Sequence, residues 1–349
     1  NDASCGGVAA AVVRVSDFII GWNRREKPVE FGLMDESYRL DVRQVEDVQE
    51  SFSTLIWFGD PAQLAPVGQS GEMAFENVPK SRQCHLTRIH RQAGDSPILD
   101  LAHLLSEPNL SFQEFERQIE EMSLKDDRVV LAQSVQCDLM SRSPVLVWRN
   151  STRIRLIQAF RNAYEAPDDR LLSGEPLICD GIELPMKHRK KRIDLEARGL
   201  IKGAQCVYLG DGRKPGFSRL HVIGAEDPQV SAASIIKIEA PDQEEPFIPF
   251  AAHMGAAFVH GSACTIHKAQ GSQWKNVQVF APDLFVAAKM GREEAGIQLW
   301  KRLAYVAITR AIDKLFWVKA YKLARPTTPL HTDDLRSQIS NELTLEPIE

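Results

Sequence analysis

Short apolar runs that alternate with helical periodicity are the feature that most constrains the fold of this 349-residue chain. Three such runs, at 31–34, 55–58 and 145–148, end in polar or glycine-containing residues and lead into helical patterns. Strands that alternate with helices in this way are typical of a parallel sheet covered by helices. The sequence therefore predicts an α/β fold, although Gly32 is expected to weaken the first strand.

The pattern changes between 174 and 260, where short β-rich pieces are broken by Gly and Pro. This stretch predicts a small barrel or sheet inserted into the α/β scaffold. Strand–helix alternation returns at 277–280, and the proline-rich and polar tail after Pro326 is expected to be loose. A chain of this length exceeds one ordinary core, so two or three domains are expected.

The formal net charge of −5 gives no sign of a nucleic-acid binder, so any polyanion must be held by a local patch. The densest basic run is Lys187-His188-Arg189-Lys190-Lys191-Arg192, for which a solvated loop is the more common explanation. The six cysteines form no C-x-x-C pair, which indicates reduced thiols rather than disulfides or zinc. No run is apolar enough to span a membrane, so a cytoplasmic location is predicted.

An acidic pair, Asp35-Glu36, follows the first apolar run at the carboxyl end of the predicted strand. Ligands of open α/β sheets bind at that edge. In nucleotide hydrolysis, Asp35 would hold Mg²⁺ through its water shell and Glu36 would orient and deprotonate the attacking water. The alternative is an ordinary helix start, where acidic first-turn residues are favourable.

The segment GDPAQLAPV at 59–67 follows the next apolar run, and Gly59 shapes a turn that presents Asp60 and Gln63. It resembles motif III of the superfamily 1 DNA helicases, G-D-x-x-Q-L-x-P-V, at every specified position. The resemblance implies that Gln63 senses the γ-phosphate of ATP, that Gly59 and Asp60 lie near the nucleotide, and that Pro66 contacts single-stranded DNA.

The segment TIHKAQGSQW at 265–274 resembles motif V of the RecD/Dda-like branch of this family. The resemblance implies a DNA-backbone contact coupled to the nucleotide site, through the hydroxyl, imidazole, ammonium and amide groups and the small Gly271. Trp274 is a candidate for base stacking, with a core position as the alternative. DNA-binding residues are expected at Thr265, His267, Lys268 and Trp274, and ATP-binding residues at Gln270 and Gly271.

Two arginines complete the set. Arg91, in LTRIHRQ at 86–92, resembles the motif IV arginine, whose guanidinium fork suits a phosphate; Arg88 is the alternative. Arg310, in YVAITRA at 305–311, resembles the motif VI arginine finger, which stabilises negative charge on the γ-phosphate. With Asp35-Glu36 at the place of motif II, the chain resembles motifs II to VI in family order, which indicates a single ATP-binding helicase core.

The resemblance implies two RecA-like parallel-sheet domains, the first incomplete, with an SH3-like β-rich insertion in the second. The expected function is an ATP- and Mg²⁺-dependent helicase or translocase on single-stranded DNA, moving 5′→3′, with recombination, repair or replication subunits as further partners. The alternative is a partial helicase that binds DNA or protein without catalysis. The predicted divisions are 1–105 for the first domain, 106–173 with 261–325 for the second, 174–260 for the insertion and 326–349 for the tail.

One family element is missing from the 349 residues. They contain no G-x-x-x-x-G-K-[ST] loop and no Gly-Lys pair at all. That loop cradles phosphates with backbone N–H groups and its lysine. The chain, which opens mid-pattern without Met, is therefore expected to be a fragment that begins after the phosphate-binding loop.

We expect this chain by itself to hydrolyse ATP at no more than a background rate, because nothing in it replaces the phosphate-binding loop. The measurement is Mg²⁺-dependent ATP turnover with and without single-stranded DNA. A robust rate that Arg310→Ala removes would contradict this expectation.

Overall fold

The computed structural model describes residues 29–65, 78–86, 96–249 and 252–330, and the backbone at 2–5 and 8–11. None of the helices in these ranges is long and apolar enough to cross a bilayer. The strands are β1 (Asp2–Cys5), β2 (Val8–Ala11), β3 (Val29–Met34), β4 (Phe52–Trp57), β5 (Val129–Ala132), β6 (Val145–Val147), β7 (Pro176–Glu183), β8 (Gln205–Asp211), β9 (Phe217–Val222), β10 (Gln229–Lys237), β11 (Gly255–His260), β12 (Ala263–Thr265), β13 (Trp274–Phe280), β14 (Glu293–Glu294), β15 (Ile297–Gln298) and β16 (Ala311–Val318). The α-helices are α1 (Val42–Ser51), α2 (Pro97–Leu104), α3 (Phe112–Ser123), α4 (Cys137–Met140), α5 (Asn150–Ala163), α6 (Arg189–Ala197), α7 (Ala281–Met290) and α8 (Leu299–Ile308).

The chain forms two compact units. The first contains Asn1–Arg88 and Gly291–Arg302, and the second contains Ile89–Met290 and Leu303–Glu349. The segment 291–302 is part of the first unit. Its hairpin and the start of α8 pack there, with Ala295 against the buried Tyr38 and Ala65.

The first unit is built on β3 and β4, which pair in parallel and are joined by α1. A capping box starts α1: the Asp41 carboxylate accepts from the Gln44 backbone N at 2.8 Å, and the Gln44 side chain accepts from the Asp41 N at 3.1 Å. A Cβ atom on Gly32 would lie 2.7 Å from Leu55 Cδ2 and 2.8 Å from Phe52 Cδ1. The glycine in β3 therefore makes room for apolar side chains of β4.

The second unit contains a five-stranded sheet in the order β12-β6-β13-β16-β5, in which all neighbouring strands are parallel. Strand β6, the second half of β13 and part of β16 are buried, as expected where helices cover both faces of such sheets. Helices α5 and α7 follow β6 and β13 directly. This sheet and the β3–β4 pair confirm the predicted α/β fold class.

The N-terminus of helix α5 is capped by a side chain more than one hundred positions away in sequence. The buried Asp283 carboxylate accepts from Trp148 N at 3.1 Å, Arg149 N at 2.8 Å and Thr152 Oγ1 at 2.8 Å. The Arg149 guanidinium adds bonds of 2.8 and 2.6 Å. The local Asn150-Ser151-Thr152 sequence predicts a cap, but the negative charge at this helix start comes from α7.

The β-rich stretch is a closed barrel in the order β10-β11-β7-β8-β9. Its neighbouring strands are antiparallel except β10 and β11, which are parallel. Closure removes the exposed sheet edges, and apolar side chains from all five strands fill the centre. A Cβ atom on Gly255 would lie 2.1 Å from the Ala233 carbonyl oxygen, so only glycine permits this approach of β11 to β10.

A buried charged network ties the barrel to the parallel sheet. The Glu175 carboxylate, immediately before β7, accepts from Arg161 Nη1 of α5 at 2.7 Å and lies 2.7 Å from His260 Nε2 at the end of β11. It also accepts from Leu172 N at 2.7 Å. His260 Nδ1 lies 2.9 Å from Ser262 Oγ, just before β12. The two segments that connect the barrel to the sheet, one before β7 and one after β11, are therefore both fixed by the Glu175 carboxylate.

Replacement of Glu175 by Gln is expected to lower the free energy of unfolding by about 2–4 kcal/mol, because it leaves the buried Arg161 guanidinium without its counter-charge. Urea unfolding followed by tryptophan fluorescence measures the loss. The control is Arg198→Ala, which breaks an exposed pair with Asp227 and should cost less than about 1 kcal/mol. Equal effects of the two changes would contradict the assigned role of Glu175.

Candidate functional site

The acidic pair and motif III meet at one edge of the first unit. Because β3 and β4 are parallel, with Met34 opposite Trp57, their carboxyl ends coincide. Pairing continues past the strand ends, where Phe58 N donates to the Met34 carbonyl at 2.8 Å and Ser37 N donates to the Phe58 carbonyl at 2.9 Å. Asp35 and Glu36 thus lie beside the start of the 59–63 loop.

Glu36 has a backbone conformation that is unusual for a residue with a side chain. Its φ of 54° and ψ of 34° lie in the left-handed region, and its N–H donates to Asp35 Oδ1 at 2.8 Å. The buried Ser37 donates its hydroxyl to the Phe58 carbonyl at 2.7 Å. Such non-glycine outliers cost of order 1–3 kcal/mol and concentrate at functional sites, where surrounding contacts hold them.

Tyr38 joins the two motifs, although no sequence motif marks it as a site residue. Its buried hydroxyl is hydrogen-bonded to Gln63 Oε1 at 2.6 Å and also contacts the Glu36 carboxylate. One phenolic proton can be donated to either acceptor. Glu36 and Gln63 therefore share one hydrogen-bonding partner. If either side chain moves or changes its protonation, the Tyr38 hydroxyl can shift its hydrogen bond toward the other.

The motif III loop is a compact turn organised by Asp60. Its Oδ1 accepts from Ala62 N at 3.0 Å, its Oδ2 is 3.4 Å from Gln63 Nε2, and its carbonyl accepts from Gln63 N at 3.1 Å. An aspartate that bonds the backbone two residues on is a common turn device. It holds Gln63 toward Tyr38 at the strand edge.

Arg302 fixes the same loop from α8. Its buried guanidinium donates to the Pro61 carbonyl at 2.6 Å and to the Gln63 carbonyl, and also to the carbonyls of Glu294 at 2.8 Å and Ala295 at 3.3 Å. Only 2% of Arg302 is exposed, so these bonds operate away from water. Sequence reasoning missed this residue because it lies about 240 positions from the loop and belongs to no quoted motif.

The motif V segment lies in the second unit, after β12. Ile266 N donates to the Val147 carbonyl at 2.8 Å, and Ala269 N donates to the Thr265 carbonyl at 3.0 Å, forming a turn. Gly271 has a φ of 83°, which residues with a side chain rarely adopt, and a Cβ atom there would touch nothing.

Burial raises the pKa of the Cys264 thiol, just before this segment, to about 11. This thiol therefore stays protonated near neutral pH, and a protonated thiol is a poor nucleophile.

Lys268 is the prominent cation of this turn. Its side chain is 54% exposed, and its Nζ lies 3.4 Å from Asp180 Oδ1 on β7 of the barrel. A pair this open to solvent contributes little to stability. The lysine is therefore held weakly and can exchange its carboxylate partner for another anion.

Two buried donors in motif V, Gln270 Nε2 and Trp274 Nε1, contact no acceptor in the described part of the chain. Each such donor costs about 1–3 kcal/mol, and unsatisfied groups of this kind call for a functional explanation. Trp274 itself is only 7% exposed and begins β13. In this conformation the buried indole offers no face to a base, which favours the core alternative for Trp274.

Arg310 is 3% exposed and points into the second unit. Its guanidinium donates to the Val306 carbonyl at 3.0 Å, to the Ser272 carbonyl at 3.3 Å and to Thr309 Oγ1 at 3.2 Å. Trp274 N donates to the Arg310 carbonyl at 3.0 Å. In this conformation the arginine links motif VI to motif V.

Two predicted site residues, Arg91 and Pro66, lie outside the described residues. The predicted site positions that are described form two groups: Asp35, Glu36, Gly59, Asp60 and Gln63 in the first unit, and Thr265, His267, Lys268, Gln270, Gly271, Trp274 and Arg310 in the second. Within the described ranges, no cluster of three or more His, Cys, Asp or Glu side chains could hold a metal ion. Asp35 is exposed and has a carboxylate of the kind that binds Mg²⁺ together with phosphate oxygens.

Residues 260–318, which include motifs V and VI, match the family described as UvrD-like helicase C-terminal domain. A comparison with curated proteins finds no match. The structure is similar to that of Pif1 helicase from Candida albicans, with a TM-score of 0.48 at 14% identity over 90% of this chain and 77% of that one. For Pif1 helicase from Bacteroides in complex with ADP-AlF3 and ssDNA, the TM-score is 0.46 at 13% identity, over 90% and 75%.

Arg302→Met keeps much of the aliphatic side chain but removes every N–H donor to the motif III loop. We expect the backbone amides of residues 60 and 62–65 to exchange with deuterium about tenfold faster, because the loop loses the donor to two of its carbonyls. Arg292→Met is the matched control, since the Arg292 guanidinium bonds the Glu294 side chain at 2.9 Å. Unchanged exchange in Arg302→Met would show that Asp60 alone holds the loop.

Proposed function

We propose that the chain is part of a superfamily 1 DNA helicase of the RecD/Dda-like branch, an ATP-dependent translocase on single-stranded DNA that moves 5′→3′. The observation that carries this proposal is the edge of the first unit, where Tyr38 connects Glu36 with Gln63. The match of residues 260–318 to the UvrD-like helicase C-terminal domain supports it for the second unit. The division into two RecA-like domains with an inserted barrel belongs to the same proposal.

In this proposal, nucleotide hydrolysis uses the residues at the β3–β4 edge. Asp35 would hold Mg²⁺, which neutralises phosphate charge when bound, and Glu36 would take a proton from the attacking water. Gln63, oriented by Tyr38 and Asp60, would report whether a γ-phosphate is present. Gly59 and Asp60 would line the nucleotide, as would Arg91.

Arg310 is proposed to stabilise charge on the γ-phosphate, with Gln270 and Gly271 as further nucleotide-binding residues. For that role its guanidinium must give up its bonds to Ser272 and Thr309. Those bonds also suggest a route for coupling, because a guanidinium that leaves motif V releases the turn that carries Lys268. Rearrangement would also give the unsatisfied Gln270 and Trp274 donors an opportunity to meet acceptors.

Single-stranded DNA would be bound by Thr265, His267 and Lys268, with Pro66 as a further contact. Lys268 would exchange Asp180 for a backbone phosphate, because the exposed pair is weak and a phosphate offers more acceptor oxygens. Binding would then be insensitive to base sequence and sensitive to salt. Recombination, repair or replication subunits remain proposed partners, and the cytoplasm the proposed location.

A second candidate function is a partial helicase that binds DNA or protein without hydrolysing ATP. The observation in its favour is the absence of a G-x-x-x-x-G-K-[ST] sequence from the 349 residues. Both candidates include DNA binding by the motif V turn. They differ in ATP turnover, and Mg²⁺-dependent ATP hydrolysis with and without single-stranded DNA distinguishes them.

Lys268→Ala is expected to weaken binding of single-stranded DNA and to reduce the slope of log K against log salt by about 0.7, the value for one phosphate contact. Asp180→Asn should strengthen binding, since it frees Lys268 from its carboxylate partner. Fluorescence anisotropy over a salt series measures both effects. Lys319→Ala, at an exposed lysine after β16, is the control; if it and Lys268→Ala behave alike, the motif V contact is refuted.

A further inference from the structure

The basic run of 187–192 is used by none of the roles proposed above. The structure places it after β7 of the barrel, in a single 3-10 turn and the first turn of α6, rather than in the solvated loop expected from sequence. Arg192 is paired with Glu196 at 3.0 Å. The other four cations form no ion pair with any described residue, and all four are exposed: Lys187, Arg189, Lys190 and Lys191. These four side chains are termed the barrel basic surface.

The charges of α6 oppose the stability of the helix. Its first turn holds cations and no acid, its last turn holds no base, and Asp194 and Glu196 lie in its second half. The helix macrodipole disfavours both placements, by about 0.3–1 kcal/mol for each exposed charge. Arg189 and Arg192, three residues apart on the helix, add like-charge repulsion, against one attractive pair between Arg192 and Glu196.

Packing and capping do not explain this sequence either. Leu195, partly buried, packs α6 against the barrel core, but no residue of the helix is fully buried, and His188 at its N-cap makes no side-chain hydrogen bond to the helix. A basic first turn that neither capping nor the helix dipole favours gains from an anion that neutralises its concentrated positive charge. The barrel basic surface therefore has the electrostatic character of a polyanion contact.

We propose that the barrel basic surface binds the phosphate backbone of double-stranded DNA. Five Lys and Arg within six residues, in a chain whose net charge is −5, match the dense charge of a duplex, about one per 1.7 Å of axis. The run contains no aromatic residue on which an unpaired base could stack, whereas single-strand surfaces combine cations with aromatics.

The second unit would thus contact DNA at two places. Asp180 on β7 contacts Lys268 of the proposed single-strand site, and β7 ends at Glu183, four residues before Lys187. A duplex on the basic surface would be continuous with a single strand at the motif V turn. The duplex contact does not depend on the single-strand proposal, because it rests on different side chains.

The test replaces the four cations by glutamine, in K187Q/R189Q/K190Q/K191Q. Glutamine is a good helix former, and the change relieves like-charge repulsion, so the barrel should fold. The matched control, K125Q/R170Q/K202Q/K319Q, removes the same charge from exposed positions elsewhere in the second unit. Circular dichroism verifies the fold of both variants. Binding of a blunt duplex and of a single strand is measured by anisotropy over a salt series.

We expect the first variant to lose at least about tenfold in duplex affinity and the salt slope to fall by about 2–4, while single-strand affinity changes less than about twofold. The control should keep its duplex affinity within about twofold. Absence of duplex binding by the unmodified chain, or equal losses in both variants, would overturn the proposal. The proposal would also be overturned if polyglutamate displaced the labelled duplex as effectively as unlabelled duplex does at equal charge, because that result indicates an acidic protein partner. Unchanged single-strand binding in Lys268→Ala, together with the expected loss of duplex binding in the quadruple variant, would overturn the proposed single-strand site and support the duplex contact.

Discussion

The second unit depends on a buried carboxylate, that of Glu175. The chain enters the barrel beside Glu175 and leaves it beside His260, and both crossings are fixed where this carboxylate meets Arg161 and His260. A buried ion pair of this kind contributes little net stability, but loss of one partner leaves an uncompensated charge. Its consequence here is geometric, because a fixed barrel brings Asp180 on β7 to Lys268 of motif V.

The first unit follows from a simpler constraint, the parallel pairing of β3 and β4. Parallel strands end at the same edge, so an acidic pair after one and a glutamine after the other must be neighbours. The contacts that hold their side chains are less local. Tyr38 connects Glu36 with Gln63, and Arg302 anchors the loop from a segment that returns to this unit much later in the chain.

Both proposed DNA contacts arise on the second unit from charges that its stability does not require. The Lys268–Asp180 pair is exposed and weak, and the cations of α6 oppose their own helix dipole. The buried donors of Gln270 and Trp274 lack acceptors in the same region. Energetic costs of this kind, which the fold itself does not require, are typical of functional surfaces.

The sequence by itself determined the α/β class, the place of the β-rich insertion and which motif residues lie at strand ends, because periodicity and turn chemistry are local properties. Only the tertiary structure decided that the basic run is helical, that Trp274 is core and that Asp283 caps α5. It also decided that Arg310 faces inward and that Tyr38 and Arg302 belong to the candidate site. Such outcomes depend on which distant side chain supplies a hydrogen-bonding partner or excludes water. The spacing of residues along the chain does not predict which distant residues come into contact.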